Sequence, residues 1–239
     1  MKIEDSVVFV TGASRGLGLA FAREALARGA AKVYAGVRNP AVFSEPGIIP
    51  VKLDVTDPAS VDVAARNASD VTLLVNNAGI GEITGSPLAD CAEDHARRTF
   101  ETNYYGVMRT TRAFEPSLPG DGNGAIINVL SEAVWRVVPM LAPYSASKAA
   151  AWSYSNNIRA QLKERNIRVL GLHVGFVDTD LTKNLDVPKA NPVDVVRQTY
   201  DALEAGESEV LADAGGRALK QTLSLAVPGY IDPDVVERK

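Results

Sequence analysis

The sequence predicts an α/β fold: one doubly wound parallel sheet of about seven strands with helices on both faces. Two observations carry this. Short apolar runs recur along the chain without polar alternation, which suits strands buried on both faces. Between them, apolar residues fall three and four apart, as on amphipathic helices. Their alternation implies right-handed crossovers between parallel neighbours.

In chain order the strands are expected at Ser6–Val10, Lys32–Val37, Ile48–Leu53, Thr72–Val75, Ala125–Val129, Arg168–Leu172 and Glu209–Leu211. Leu17, Phe21 and Ala25 share one face of a helix after the first strand. A longer helical pattern runs over Glu93–Phe114, with Phe100, Tyr104, Val107, Thr111 and Phe114 in mixed spacing. Pro116–Gly124 is the widest Pro/Gly-rich gap, and it separates a helix from its next strand. No linker divides the chain, so one domain is expected over residues 1–239. After the last strand come Ala212 and Asp213, a helix over Arg217–Leu225 and an irregular tail, Val227–Lys239.

Composition narrows the function. With 46% hydrophobic and 23% charged residues the chain reads as globular. A net charge of −4 leaves no basic surplus for a phosphate backbone, so nucleic acid is not an expected partner. The single cysteine, Cys91, cannot form an internal disulfide and fits a reducing compartment. No apolar run approaches the ~20 residues of a membrane span, and Met1–Asp5 is unlike a secretion signal. A cytoplasmic protein with no membrane partner is expected. His95 and His173 lack metal-ligand spacing to each other or to Cys91, so no metal is expected. They read as a surface residue and a strand-end residue.

The first strand runs into Thr11-Gly12-Ala13-Ser14-Arg15-Gly16-Leu17-Gly18 and then a helix. Gly12 allows a tight turn, Gly16 close approach of the backbone to a pyrophosphate, and Gly18 close helix packing. The helix start offers N–H groups to phosphates. By itself such a run could be only a turn and a helix start. Its spacing, Gly-x3-Gly-x-Gly, differs from the commoner Gly-x-Gly-x2-Gly. It resembles the cofactor motif of short-chain dehydrogenases/reductases. Asp54, Asn76-Asn77-Ala78-Gly79, Asn103, and Ser131 with Tyr144 and Lys148 then follow in that family's order, over about Ser6 to Thr182. The resemblance implies a Rossmann fold, a nicotinamide cofactor and an oxidoreductase.

The second strand ends at Val37-Arg38-Asn39, without the carboxylate that would bind the 2′-hydroxyl of NAD. Arg38 and Arg15 instead offer two cations for the 2′-phosphate of NADP(H), unless both are solvated surface residues. The resemblance extends the cofactor-binding set. Gly12, Ser14, Arg15, Gly16, Leu17, Gly18 and Arg38 take the phosphates. Asp54, supported by Val55, accepts from the adenine amino group. Asn76, Ala78 and Gly79 line the cleft and steady the central sheet.

Tyr144 and Lys148 are four apart at the start of a long helix and so share one face. They could be an ordinary surface pair, but Ser131, thirteen residues before Tyr144, points to chemistry. An ammonium close to the phenol should pull its pKa down toward the working pH. By resemblance Asn103, Ser131, Tyr144 and Lys148 are catalytic, and Tyr144 exchanges the proton of a carbonyl/alcohol interconversion. Lys148 tunes Tyr144 and holds the nicotinamide ribose, and Asn103 holds a water linking Lys148 to solvent. A non-catalytic NADPH-binding sensor would share the fold but has no use for Tyr144. Epimerisation or dehydration on the same scaffold is a third reading.

Two stretches depart from the family pattern. Val174 stands where relatives usually carry proline, although the cofactor-binding Gly175, Val177 and Thr179 remain, Val177 and Thr179 being expected to bind the nicotinamide amide. The C-terminal end lacks the family's Gly-rich segment, which leaves a homodimer or homotetramer open. Ala146, Ala149, Ala150 and Ala151 could pack on a partner or on the chain's own sheet. The substrate, a small carbonyl or alcohol, is expected against Ser131, Tyr144, Trp135 and Phe176, with Glu132, Met140, Leu141 and Leu181 near. The segment Leu181–Lys189 should close over it.

Overall fold

In the computed structural model, which describes residues 1–237, the strands are β1 (Val7–Thr11), β2 (Lys32–Val37), β3 (Ile48–Lys52), β4 (Leu73–Asn76), β5 (Ala125–Val129), β6 (Arg168–His173) and β7 (Glu209–Leu211). They form one sheet in the order β3-β2-β1-β4-β5-β6-β7, with every neighbouring pair parallel. The order reverses between β1 and β4, which opens a crevice at the carboxyl ends of the strands. Three strands match their expected bounds, and the rest shift at their ends by a residue.

The helices are α1 (Gly16–Ala27), α2 (Pro58–Asn67), α3 (Ala92–Phe100), α4 (Gly106–Phe114), α5 (Ala142–Leu162), α6 (Pro192–Ala205), α7 (Ala214–Thr222) and α8 (Asp234–Glu237). Asp57 and Asn191 cap α2 and α6, each just ahead of a proline that cannot use its missing N–H there. Alternate strand residues feed two cores. Val10, Val75, Ile127 and Leu172 meet α1 and α6, where Phe21 stands edge-on to Tyr200 at 5.5 Å. Phe9, Leu74, Ile126 and Val169 meet α2, α4 and α5, where Phe9 packs on Phe114 at 4.5 Å. Each such buried side chain contributes roughly 1.5–3 kcal/mol.

Three expectations are corrected. The Glu93–Phe114 helix is interrupted by a π-turn over Glu101–Tyr105, which separates α3 from α4. The next-to-last helix starts earlier than Arg217, because the Asp213 carboxylate caps it by accepting from Gly216 N at 2.7 Å. Gly215 and Gly216, poor helix formers, hid that start. The tail is not wholly irregular, since it contains α8; its last residues, Arg238 and Lys239, lie outside the described residues.

Candidate active site

The turn between β1 and α1 needs its glycines. Gly12 and Gly16 have φ of +66° and +56°, where a side chain is strained. A β-carbon on Gly18 would fall 2.4 Å from Gly12 O and 2.5 Å from Asn77 Nδ2. The loop after β4 is bolted to this turn. Asn77 N and Ala78 N both donate to Thr11 Oγ1 at 3.0 Å, and Asn77 Nδ2 donates to Thr11 O (3.0 Å) and Gly12 O (3.2 Å). Arg15 precedes α1 without capping it, so no side chain competes for the N–H groups at the helix start.

A cleft of about 670 Å³ runs from this turn to the start of α5. Gly12, Ser14, Arg15, Gly16, Leu17, Gly18, Arg38, Asp54, Val55, Ala78 and Gly79 line it, as do Ser131, Tyr144, Lys148, Gly175, Phe176, Val177 and Thr179. Three predicted residues stand elsewhere. Asn76, at the end of β4, is buried: its Nδ2 donates to Asn128 Oδ1 (2.8 Å) and Thr111 Oγ1 (3.0 Å), and its Oδ1 accepts from Thr110 at 2.6 Å. It steadies the sheet, and the neighbouring Asn77 takes its place on the cleft wall. Asn103 lies on the π-turn, also buried. Its Nδ2 donates to Ile80 O (2.9 Å) and Ser147 Oγ (3.1 Å), and Ile80 N donates to its Oδ1 (2.9 Å). It approaches Lys148 across Gly79, where a β-carbon would lie 3.2 Å from Asn103 Oδ1 and 3.6 Å from Lys148 Nζ.

Trp135 is the third, and it does not line the cleft. Its ring stacks on His173 at 4.3 Å and meets Trp152 edge-on at 5.8 Å, so apolar burial has drawn it into the core. Met140 is likewise off the wall, whereas Glu132, Leu141 and Leu181 are on it.

At the carboxyl end of β3, Asp54 Oδ1 accepts from Thr56 N (2.9 Å) and Thr56 Oγ1 (2.7 Å). These bonds, with some help from Arg38, hold its carboxyl below the usual range despite partial burial. Arg38 is exposed and makes no ion pair among the described residues. Arg15 reaches across the cleft mouth to Asp180 at 3.2 Å. The two cations are therefore unequal: one is free and one is partly offset.

At the other end of the cleft, Ser131 caps a single 3-10 turn, Glu132–Val134, its Oγ accepting from Ala133 N at 3.1 Å. Tyr144 and Lys148 stand on the first turns of α5, with Lys148 Nζ 5.8 Å from the centre of the Tyr144 ring. Lys148 Nζ donates to Val129 O at 2.7 Å, which anchors it to the end of β5. Burial pulls the Lys148 ammonium down to about 8. The Tyr144 phenol is pushed up, not down as expected from its lysine neighbour. Burial penalises the phenolate more than the Ser131 hydroxyl favours it.

Val174, which replaces the family's proline, is held by its carbonyl: Glu132 N donates to it at 3.1 Å and Ser131 Oγ at 3.3 Å. Gly175 N donates to Asp213 Oδ2 at 2.7 Å. The segment between Val177 and Ala190 leaves and returns at one parallel bridge between these two residues. Ser147 and Asp213 are supports that the sequence does not single out, while Thr11 and Asn77 stand inside the quoted motifs without a role assigned to them. Of the first two only Asp213, a capping residue before Ala-Gly-Gly, carries a local signal. Among the described residues no group of three or more His, Cys, Asp or Glu could hold a metal, and no helix is long and apolar enough to cross a membrane.

Comparison with known proteins agrees with this architecture. The family model described as short chain dehydrogenase matches residues 6–190. A short chain dehydrogenase from Burkholderia cenocepacia J2315, solved in complex with NADP, is 40% identical. It superposes with a TM-score of 0.89, covering 95% of each chain. The chain is 32% identical to the 1-deoxy-11-beta-hydroxypentalenate dehydrogenase of Streptomyces exfoliatus, over 79% of its own length and 74% of the relative. It is also 32% identical to the galactitol 2-dehydrogenase of Agrobacterium fabrum, over 87% and 82%. By the family match, and with its glycine turn, Ser131, Tyr144 and Lys148 gathered on one cleft, the chain belongs to the short chain dehydrogenase family of oxidoreductases.

Proposed function

We propose that the protein is an NADP(H)-dependent carbonyl reductase or alcohol dehydrogenase that interconverts a ketone or aldehyde with its alcohol. The observation that carries this reading is that Ser131, Tyr144 and Lys148 share a single cleft with the glycine turn, Arg15 and Arg38.

The residues fit NADP(H). Gly12 and Gly16 in the left-handed region let the backbone approach a pyrophosphate, and the start of α1 faces it. Arg38, free of ion pairs among the described residues, is the principal cation for the 2′-phosphate, with Arg15 second. Asp54 and Val55 receive the adenine, and Gly175, Val177 and Thr179 the nicotinamide amide. NADPH, when bound, supplies a hydrogen with its electron pair to the carbonyl carbon. Tyr144 protonates the oxygen on which negative charge develops. Its raised pKa keeps the phenol protonated and able to donate at neutral pH. Ser131 hydrogen-bonds the same oxygen and orients the substrate. Lys148, still cationic below about pH 8, stabilises the phenolate left behind and holds the nicotinamide ribose. Asn103 supports this set from behind, through Ile80 and Ser147.

The exposed Ala146 on α5 fits a homo-oligomeric contact, and the lone exposed Cys91 fits a cytoplasmic setting. Fluorescence titration with NADPH and NADH, followed by a panel of ketones and aldehydes read at the nicotinamide absorbance, tests the function. Tighter NADPH binding with turnover is the expected result. Failure to bind either nucleotide would overturn the cofactor site, and binding without turnover would mark a sensor instead.

A further inference from the structure

We propose that Arg136 is a specificity residue that receives a second, uncharged oxygen acceptor on the substrate, such as an ester or a further ketone carbonyl. This rests on the reading of the chain as a carbonyl reductase and names its substrate class.

Arg136 lies five residues beyond Ser131 and lines the same cleft. The backbone turns back on itself there, with Arg136 N donating to Glu132 O at 3.0 Å. Glu132 then grips the guanidinium from the side: Nε donates to Oε1 at 2.7 Å and Nη2 to Oε2 at 3.1 Å. Glu132 is only 7% exposed, so the pair is held rigidly. A guanidinium has five N–H donors, and this arrangement uses two. Among the described residues Nη1 has no protein partner, which leaves the end-on fork of Nη1 and Nη2 available.

The cleft lining also holds the apolar Ile83, Val138, Leu141, Phe176, Leu181 and Leu185, with Thr182 and Asn184 among them. A few polar groups on a mostly apolar lining fix the orientation of a ligand. The surrounding charges determine which group it accepts. Arg136 already meets one carboxylate, and a second is close. A β-carbon on Gly215 would lie 3.3 Å from Arg136 Nη2, 3.3 Å from Asp213 Oδ1 and 3.4 Å from Glu132 Oε2. With two carboxylates against one guanidinium, a third anion would be repelled. A neutral carbonyl oxygen can accept the free N–H groups without that cost. The substrate therefore carries its reacting carbonyl at Ser131 and Tyr144, a neutral acceptor a few bonds away, and an otherwise apolar body.

The test compares ethyl acetoacetate and ethyl levulinate with their free acids and with methyl butyl ketone. Each is assayed for NADPH-dependent reduction by the full-length protein. Each is also titrated calorimetrically into the NADP⁺-saturated protein, so that binding reads out whether or not turnover occurs. One of the esters should exceed both its acid and the plain ketone at least about tenfold in kcat/KM or affinity, as a hydrogen bond to a charged donor predicts. Arg136→Met should reduce that ester to the level of the ketone and leave the ketone unchanged. Glu132→Gln, which frees the positive charge, should shift preference toward the acid. The double variant Glu132→Gln/Arg136→Met removes both charges and serves if the single variants fold poorly. An ester advantage that survives loss of Arg136, or a wild-type preference for the acid or the plain ketone, would overturn the proposal. Absence of turnover on every compound, with the binding order intact, would count against the reductase reading and leave the acceptor site standing.

Discussion

Asn103 clamps the backbone of Ile80 from both sides: its amide nitrogen donates to Ile80 O, and its amide oxygen accepts from Ile80 N, each at 2.9 Å. The clamp sits on the π-turn, so the irregular hydrogen bonding of that turn delivers one side chain to the loop beneath the reacting residues. Asn103→Leu keeps the size but strands both backbone groups. It should cost about 2 kcal/mol of stability, read by chemical denaturation, and should lower turnover as the loop beside Lys148 shifts.

Tyr144→Phe removes the proposed proton donor and little else. Turnover should fall at least about 100-fold, the usual worth of a positioned acid, while NADPH affinity stays unchanged. Stopped-flow reduction together with fluorescence titration separates the two quantities. Retained turnover would place the proton donor elsewhere.

Nucleotide choice should follow the inequality of the two arginines. Arg38→Asp should weaken NADPH far more than NADH, reversing their order. Asp180→Asn, which releases Arg15 from its pair at 3.2 Å, should strengthen NADPH and leave NADH unaffected. Paired dissociation constants for both nucleotides check this, and an unchanged ratio in Arg38→Asp would move the 2′-phosphate away from β2.

The alkaline limit of reduction should belong to Lys148. Its ammonium, pulled down to about 8 by burial, is cationic below that pH and neutral above it. Phenolate stabilisation is therefore lost as pH rises through about 8. A profile of kcat/KM, which reports the free enzyme, should bend downward there. A first inflection above about pH 10, the ordinary range of lysine, would assign the limit to another group.

His173 should set part of the acid limit of stability. Burial is the main cause that pulls it from 6.5 down to about 4, with Lys220 and Arg159 acting in the same sense and Ser131 O opposing. Between these values the unfolded chain binds a proton that the folded chain refuses. Stability is full above 6.5 and falls as pH drops toward 4, by up to about 3 kcal/mol. Denaturation midpoints across this range, with His173→Asn as the control that flattens this part of the slope, test it.

The architecture was legible in sequence because strands buried on both faces leave unbroken apolar runs, and because the glycine turn fixes where the first helix begins. Ser131, Tyr144 and Lys148, the proposed reacting residues, keep a recognisable spacing, and the fold gathers them on one cleft. Trp135 misled because a large aromatic beside a site suits a pocket wall as well as a core, and only its stacking on His173 decides. Asn76 and Asn77 are adjacent on a strand end, so their side chains diverge, and composition cannot say which one faces the cleft. The π-turn left no trace, because inserting it preserves the apolar spacing on either side. The effect of burial on Tyr144 also escaped, since desolvation depends on residues distant in sequence.

The bridge between Val177 and Ala190 closes the segment between them at its base. Everything between these anchors is an excursion from the sheet rather than part of it. Lengthening a flexible excursion is cheap, about 0.6 kcal/mol for each doubling. That segment can therefore be lengthened or exchanged as a cassette while the sheet and its crevice stay as they are.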